Sequence, residues 1–402
     1  MQKLYNLYIL YFFINIWYTR LKKNLKFYIG KDGGFFMAGS SYGKLFQITT
    51  WGESHGAALG VVVDGCPAGL PLSADDIQLF LDRRKPGRNK ISTPRKEDDK
   101  VEILSGVFEG KTTGTPISLL VRNTSQRSSD YGEIANYYRP GHADYTFDKK
   151  YGFRDYRGGG RSSGRETIGR VAAGAIASKL LLMLGIRLTA YTRSIGPVTI
   201  NDSRFDIQAI LETPTCMPDR LASEKAEAYL DECMKAHDSA GGVIECRIDG
   251  CPAGIGEPVF DKLDAELSKA IMSVGAVKAV EIGDGISAAQ HKGSENNDAF
   301  RMQDKEVIKS TNHAGGILGG ISDGSTILLR AHVKPTPSIF SRQQTVNRQG
   351  EDIEIAIKGR HDPVIVPRAV VVVESMAAVT LLDALLVNMS AKVENLQKIY
   401  HK

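Results

Sequence analysis

Two histidines between glycines are the first residues in this chain that could carry acid–base chemistry. His55 lies in Gly52–Gly56 (Gly-Glu-Ser-His-Gly), and His142 lies in Arg139–Asp144 (Arg-Pro-Gly-His-Ala-Asp). The ordinary pKa of histidine is near neutrality, and glycine lets the backbone approach a ligand closely. Each histidine could be a proton donor, or it could be a structural residue whose hydrogen bonds are satisfied within the fold. The local sequence leaves both alternatives open.

The segment around His55 also matches the G-x-S-x-G pattern of an α/β-hydrolase nucleophile elbow. That motif needs a strand before it and a helix after it. Here the following residues, Leu59–Asp64, are rich in β-branched side chains and end in a turn, so they predict a strand. A hydrolase is therefore the third choice of function.

Two basic segments are candidates for anion binding. Residues 82–90 carry five cations at a predicted helix end that is broken by Pro-Gly, and residues 154–166 combine four arginines with glycines, Ser162 and Ser163 before a predicted helix. Free backbone N–H groups at such a helix start favour phosphate. Neither a dinucleotide fingerprint nor a Walker A loop is present. An RNA- or anion-binding module is the runner-up function, although no aromatic residues are interleaved for base stacking.

Three later segments could complete a site. Asn312–Gly320 is a glycine-rich loop, Lys334–Ser338 is a rigid Lys-Pro-Thr-Pro-Ser segment, and Arg360–Pro363 places a cation beside a carboxylate. Each could be structural on its own, and it is their number that indicates a site.

The surrounding pattern predicts an α+β fold. Helices are expected at 165–184 and 368–389, the second apolar almost all round and hence buried. Strands are expected at Ile117–Val121, Val277–Ile282 and Thr326–Val333. Because helices and strands mix without strict alternation, and no Pro- or Ser-rich linker divides residues 37–402, we expect a single α+β domain.

A repeated six-residue sequence suggests an internal pseudo-duplication. Asp64–Gly69 (Asp-Gly-Cys-Pro-Ala-Gly) recurs at 249–254, and each copy follows a predicted strand and precedes a predicted helix. The first helix has Ser73 as a plausible N-cap, and the second has Leu263, Leu267 and Ile271 on one face.

The bulk composition separates residues 1–36 from the rest. This leader holds six of the chain's 51 basic residues and one of its 46 acidic residues, so the remainder has 45 of each and is neutral. The leader's apolar run, Leu7–Trp17, is only 11 residues long, against about 20 for a membrane span, and it lacks a signal-cleavage pattern. We expect Met37 to be the true start. Five cysteines without metal-ligand spacing predict reduced thiols in a cytoplasmic protein and no metal site.

The motifs together resemble the chorismate synthase family from about Met37 to the C-terminus. The resemblance rests on Gly52–Gly56 running on to Asp64-Gly65, on Arg139–Asp144, on Gly160–Thr167, and on Arg360–Pro363 continuing to Glu374-Ser375-Met376. Gly164 stands where alanine is more usual in the family, and Lys90 where arginine is more usual.

The resemblance implies a 1,4-anti elimination of phosphate from 5-enolpyruvylshikimate 3-phosphate that requires reduced FMN without net redox change. It implies a β-α-β sandwich with a helical core between antiparallel sheets, a cytoplasmic homotetramer, no nucleic-acid or membrane partner, and NADPH as a possible reductant. In the implied roles, His55 protonates the departing phosphate, His142 interacts with reduced flavin, and Asp362 assists proton movement at flavin N5. The implied FMN contacts are Arg161, Ser162, Ser163, Gly275, Ala276, Gly319, Lys334, Pro335, Thr336, Pro337, Ser338 and Arg360; Arg84, Lys90 and Arg165 would face the substrate, with Arg84 and Lys90 also at NADP-related positions.

Deletion of residues 1–36 is expected to leave both folding and activity unchanged, because the leader differs in charge and aromatic content from the body that carries every motif. Thermal unfolding and turnover of the truncated chain, compared with the full chain, test this. An insoluble or inactive truncated protein would show that the leader belongs to the functional fold.

Overall fold

The computed structural model describes residues 39–85, 87, 98–124, 133–357 and 362–401. The chain divides into two units, residues 1–41 and residues 42–402. Of the first unit only Gly39–Ser41 is described, so the expectation about the leader lies outside the described residues. The second unit carries all the elements below.

The first antiparallel sheet contains β1 (Gln47–Gly52), β2 (Ala58–Asp64), β3 (Val101–Ile103) and β4 (Ile117–Arg122), in the order β1-β2-β4-β3. Alternate residues of β4 face the core: Ile117, Leu119 and Val121 are buried. The residues after the Gly-Glu-Ser-His-Gly segment are therefore a strand, as predicted, which is incompatible with an α/β-hydrolase elbow.

The second antiparallel sheet contains β5 (Arg187–Ile195), β6 (Val198–Thr199), β7 (Gly242–Asp249), β8 (Val277–Ile282) and β9 (Ile327–Val333), in the order β8-β9-β7-β5-β6. The predicted strands of this sheet are confirmed within a residue at each end. Short strands outside the two sheets are Val107–Phe108, Lys111–Thr112, Phe300–Gln303, Glu306–Lys309, Ile317–Leu318, Ile321–Ser322, Gln343–Val346 and Asp352–Ile355. Ser41–Tyr42 is a further strand of two residues.

A helical layer lies against both sheets. Four helices form it: α1 (Ala74–Arg84), α2 (Thr167–Met183), α3 (Leu263–Met272) and α4 (Val366–Asn388). Helix α2 contacts β2 of the first sheet and β5 of the second, and α4 contacts β5 and β7. The mixed helices and antiparallel sheets confirm the α+β class. Other helices are Asp144–Tyr151, Ala209–Glu212, Arg220–Lys235, Gly293–Asn296 and Val393–Tyr400.

Helix α4 is the core element that the apolar sequence predicted. It is long and apolar enough to cross a membrane, but 78% of its most apolar window is buried inside the protein. That burial is typical of the central helix of a globular core. Glu374 on this helix accepts two hydrogen bonds from Arg83 of α1, at 2.7 and 2.8 Å, and a third from the Ala190 N–H of β5 at 3.2 Å.

Helices α2 and α4 touch backbone to backbone at one glycine. A Cβ atom built on Gly174 would lie 2.2 Å from the Ser375 Cβ and 2.5 Å from its Cα. No side chain can be accommodated there without moving one helix. The distance between helices α2 and α4 therefore depends on this position.

The two turns with the repeated sequence, at 64–69 and 249–254, make the same hydrogen bonds. Thr112 donates its hydroxyl to the Pro67 carbonyl at 2.6 Å, and Ser322 donates to the Pro252 carbonyl at 2.6 Å. The N–H of Gly69 donates to the Thr112 carbonyl and that of Gly254 to the Ser322 carbonyl, both at 2.8 Å. Each turn follows a strand and precedes a helix, as predicted, and Ser73 caps α1 with a capping box. The cysteines of the chain are free thiols.

Gly174→Ala is expected to lower the free energy of unfolding by about 1–3 kcal/mol, because the added methyl group overpacks the contact between α2 and α4. Gly293→Ala is the matched control: Gly293 also lies in a helix, but a Cβ there meets nothing within 4 Å, so its effect should stay within about 0.5 kcal/mol. Urea unfolding measures both. Equal stabilities for the two variants would mean that the helices can separate without cost.

Candidate active site

The turn that carries His55 connects β1 to β2 and packs against the glycine-rich segment. The Ser54 hydroxyl donates to the Gly158 carbonyl at 3.2 Å and lies 3.3 Å from His55 Nδ1. A Cβ on Gly158 would be 2.2 Å from His55 Cε1, and Gly158 has a positive φ of 73°. Glycine is therefore required at 158 both by the backbone conformation and by the imidazole ring. The structure thus brings together two segments that the sequence identified separately.

Asn123 connects the His55 turn to Arg165. Its amide donates to the carbonyls of Glu53 and Gly56 at 2.9 and 2.7 Å, and its side-chain oxygen accepts from Arg165 Nε at 2.6 Å. Sequence reasoning did not identify Asn123. A single asparagine directly after a strand carries no motif signal, and its role follows from where β4 ends.

A buried carboxylate holds two of the arginines predicted to face the substrate. Asp99 pairs with Arg84 at 2.7 Å and with Arg165 at 3.0 Å, and the side chains of Asp99 and Arg84 are 0% and 2% exposed. Burial alone would raise the pKa of Asp99, but the two guanidinium groups hold that pKa below its usual range. Arg165 is 12% exposed, so it is the member of the trio that reaches the surface.

The neighbouring cations of the 82–90 segment are also paired. Arg83 binds Glu374, and Lys85 binds Asp82 at 2.9 Å. The described cations of residues 82–90 are therefore paired either with a carboxylate elsewhere in the fold or with Asp82 of helix α1. Lys90 lies outside the described residues.

The turn that carries Arg161, Ser162 and Ser163 is made of two short 3-10 helices that lead into α2. Arg161 donates to the carbonyls of Gly52 and Thr50, both at 3.1 Å, which fixes this turn against the end of β1. Ser162 donates to the Gly159 carbonyl, and the Ser163 hydroxyl accepts from the Arg165 N–H at 3.3 Å. The segment is a compact, glycine-rich turn of the kind that suits anions.

His142 lies against the Lys334–Ser338 segment. Its Nδ1 lies 2.9 Å from the Pro140 carbonyl, and its Nε2 lies 2.9 Å from the Ser338 hydroxyl. Because a carbonyl only accepts, Nδ1 carries a proton, and in the neutral ring Nε2 accepts from Ser338. Lys334 Nζ donates to the Gly141 carbonyl at 2.8 Å. A predicted catalytic residue and two predicted cofactor residues therefore form one cluster.

A buried ion pair supports the His142 loop. Asp144 accepts two hydrogen bonds from the Arg139 guanidinium at 2.8 Å and one from the Arg139 N–H at 3.0 Å. Burial would raise the pKa of Asp144, but the hydrogen bonds from Arg139 hold it below its usual range. The loop is therefore fixed on both sides of His142.

Several predicted cofactor residues border open space or carry unsatisfied polar groups. A Cβ built on Gly275 or on Gly319 meets nothing within 4 Å. Ala276 has a strained φ of 72°, and its carbonyl accepts from the Lys334 N–H at 2.9 Å. The Thr336 hydroxyl, between Pro335 and Pro337, is buried without a hydrogen-bond partner among the described residues. A ligand hydrogen bond would satisfy it.

Asp362 is linked to Arg84 through Arg368. Its carboxylate pairs closely with Arg368, whose Nε donates to the Arg84 carbonyl at 3.1 Å. The side chain of Asp362 is 8% exposed. Arg360 and His361 lie outside the described residues.

A separate cavity of about 390 Å³ lies on the second sheet and includes none of the predicted site residues. Glu245 in its lining accepts from Tyr191 and pairs with Arg193 at 3.3 Å and with Arg330 at 2.5 Å. Glu245 is thus paired with both Arg193 and Arg330. The histidine clusters are therefore the better candidates for the site of chemistry.

Comparison with known proteins identifies close relatives. A sequence profile described as chorismate synthase matches residues 46–386. The chain is 67% identical over 366 residues to the chorismate synthase of Agathobacter rectalis and 66% identical over 367 residues to that of Lachnoclostridium phytofermentans; each alignment covers 91% of this chain and 100% of the relative. A crystal structure of chorismate synthase matches with a TM-score of 0.70 and 32% identity, covering 89% of this chain and 96% of that chain.

Asp99→Asn is expected to lower the free energy of unfolding at pH 7 by about 3–5 kcal/mol, because it leaves the buried Arg84 unpaired. Asparagine tolerates the φ of 43° at this position, so the change adds little backbone strain. The folded-state pKa of Asp99 is lowered, so its contribution is present above the unfolded value of about 4 and is lost as pH falls through the folded value.

Urea unfolding from pH 7 down to pH 3 measures this contribution. The gap between the parent and Asp99→Asn should narrow below about pH 4. Asp98→Asn, at the exposed neighbouring position, is the control and should differ from the parent by no more than about 0.5 kcal/mol. A gap at pH 7 no larger than that of the control would contradict the proposed role of the buried pair.

Proposed function

Because the chain belongs to the chorismate synthase family, it converts 5-enolpyruvylshikimate 3-phosphate to chorismate in the shikimate pathway, and we propose that it does so by a 1,4-anti elimination that requires reduced FMN without net redox change. The bond from the ring carbon to the phosphate oxygen breaks, phosphate leaves, and one hydrogen leaves ring C6. The observation that carries the proposal is the cluster of His142, Ser338 and Lys334, which joins a proton carrier to a hydroxyl and a cation.

The described residues fit a flavin phosphate and ring. Open space beside Gly275 and Gly319, the partnerless Thr336 hydroxyl and the Lys334 ammonium support an anionic, hydrogen-bonding ligand at this place. Reduced FMN, when bound, supplies electron density toward the breaking C–O bond. We propose as its contacts Arg161, Ser162, Ser163, Gly275, Ala276, Gly319, Lys334, Pro335, Thr336, Pro337, Ser338 and Arg360.

In this proposal His55 donates a proton to the departing phosphate. Because the Ser54 hydroxyl donates to the Gly158 carbonyl, its oxygen can accept from His55 Nδ1–H, and this orients the ring so that Nε2 transfers the proton. The second pKa of a phosphate ester is about 6, and the pKa of an ordinary histidine is about 6.5. Because these two pKa values differ little, a proton can pass between the groups in either direction.

His142 holds a proton near the flavin in the same proposal. Its Nδ1 is fixed as a donor by the Pro140 carbonyl, so the ring changes protonation at Nε2, where it meets Ser338. Ser338 can either donate to Nε2 or accept from it, so the contact persists in both states. We propose that Asp362 assists proton movement at flavin N5.

The substrate carries two carboxylates and a phosphate, which require cations. We propose Arg165 and Lys90 as direct contacts, together with Arg84, whose guanidinium is buried against Asp99 in this structure. Arg84 would contact the substrate only after a rearrangement of the Asp99 pair, and otherwise it orients Arg165 through the shared carboxylate. Arg84 and Lys90 are also the positions that we propose for NADPH, if it serves as reductant.

Several broader features belong to the same proposal. We propose a cytoplasmic homotetramer with residues 37–402 as one domain, acting on a small molecule without a nucleic-acid or membrane partner. The matched hydrogen bonds of the turns at 64–69 and 249–254 support an internal pseudo-duplication.

His55→Ala and His142→Ala are each expected to reduce turnover by roughly 10²–10⁴-fold while leaving the fold intact. His142→Ala should also change the spectrum of bound reduced flavin, because it removes the partner of Ser338, whereas His55→Ala should not. Single-turnover phosphate release and the reduced-flavin spectrum, recorded from about pH 5.5 to 8.5, measure both effects.

His237→Asn is the control variant, since His237 is exposed, lies edge-on to Phe340 and belongs to neither cluster. It should turn over at the parental rate. Parental turnover in either alanine variant would make that histidine structural, and an identical flavin change in both would overturn the division of roles.

A further inference from the structure

Three potential metal ligands, all between residues 284 and 313, converge at the edge of the second sheet. Asp284 Oδ2 lies 2.7 Å from His313 Nδ1 and 3.3 Å from His291 Nδ1. One ligand atom from each residue lies within 4.8 Å of the other two. None of the three belongs to the proposed active site.

Backbone contacts place Asp284 beside His313. The segment after β8 crosses the Asn312–Gly320 loop so closely that a Cβ on Gly283 would lie 2.1 Å from the His313 carbonyl oxygen. The Asp284 N–H donates to that same carbonyl at 2.8 Å. The crossing therefore needs glycine at 283, and it fixes the carboxylate and one imidazole relative to each other.

A second carboxylate holds the His313 loop rigid. Asp298 accepts from the N–H groups of His313 and Ala314 at 2.8 and 3.0 Å, and it pairs with Lys309 at 3.1 Å; the side chains of Asp298 and Lys309 are 3% and 2% exposed. A histidine on such a loop loses little further freedom when it binds an ion.

We propose that Asp284, His291 and His313 bind a divalent transition-metal ion of the zinc class. Two imidazoles and one carboxylate, with water in the remaining position, are a common ligand set for such ions. Metal–ligand bonds of about 2.0–2.2 Å place tetrahedral ligand atoms about 3.3 Å apart, which is the present separation of His291 and Asp284. His313 must move away from Asp284 by about 0.6 Å. The three side chains are 26–34% exposed, so the ion can enter and retain water.

The bound ion would cross-link the segment 284–291 to the Asn312–Gly320 loop. That loop also carries Gly319, one of the proposed FMN contacts. The sequence predicted no metal site because the ligands are 7 and 22 residues apart and match no ligand spacing.

Cobalt(II) is the probe that tests the site, because its visible absorption reports coordination by nitrogen and oxygen. The full chain, stripped with EDTA, should bind one Co²⁺ per chain in competition with a chromophoric chelator, with Kd about 10 µM or tighter. Saturating Zn²⁺ should raise Tm by at least about 2 °C. Asp284→Asn keeps an acceptor oxygen but loses the charge, and it should weaken binding about tenfold or more, as should His291→Ala.

His237→Asn is again the control and should bind Co²⁺ like the parent. Circular dichroism of each variant establishes that it is folded. Binding of Co²⁺ by the parent only near millimolar concentration, or undiminished binding by folded Asp284→Asn and His291→Ala, would overturn the proposal.

Discussion

A single buried carboxylate, Asp99, is the constraint on which the substrate side of the site depends. Its charge can remain inside the protein only because Arg84 and Arg165 neutralise it, and those two arginines lie in different elements. Arg84 closes α1, while Arg165 leads into α2 and, through Asn123, fixes the turn that carries His55. The loss of Asp99 would leave both guanidinium groups without their shared carboxylate, so this one residue holds these elements together.

The flavin side of the site depends on a different contact. His142 is fixed between a carbonyl and Ser338, and its loop is held by the buried pair of Arg139 and Asp144. Both histidines therefore have one ring nitrogen occupied by a local partner, which orients the ring before any ligand arrives. Pre-organisation of this kind lowers the cost of reaching a reactive geometry.

The sequence predicted the elements well because their patterns are local. The apolar run of α4, the alternation in β4 and the Ser73 cap each depend on neighbours within a few residues. The motifs also located both histidine loops. The sequence could not show that Arg84 is buried against Asp99, because a basic run at a helix end is usually solvated. Asn123 was missed because its partners are distant in the chain. The cluster of Asp284, His291 and His313 was missed because the spacing of its residues matches no ligand motif, and only the folded backbone brings them together.

The most direct test of the central claim is phosphate release from 5-enolpyruvylshikimate 3-phosphate under anaerobic conditions, with reduced FMN, oxidised FMN or no flavin. The account predicts that one phosphate and one chorismate form per substrate only with reduced FMN, and that the flavin is still reduced when the substrate is consumed. Phosphate release at the same rate without flavin, or stoichiometric oxidation of the flavin under strict exclusion of oxygen, would contradict it.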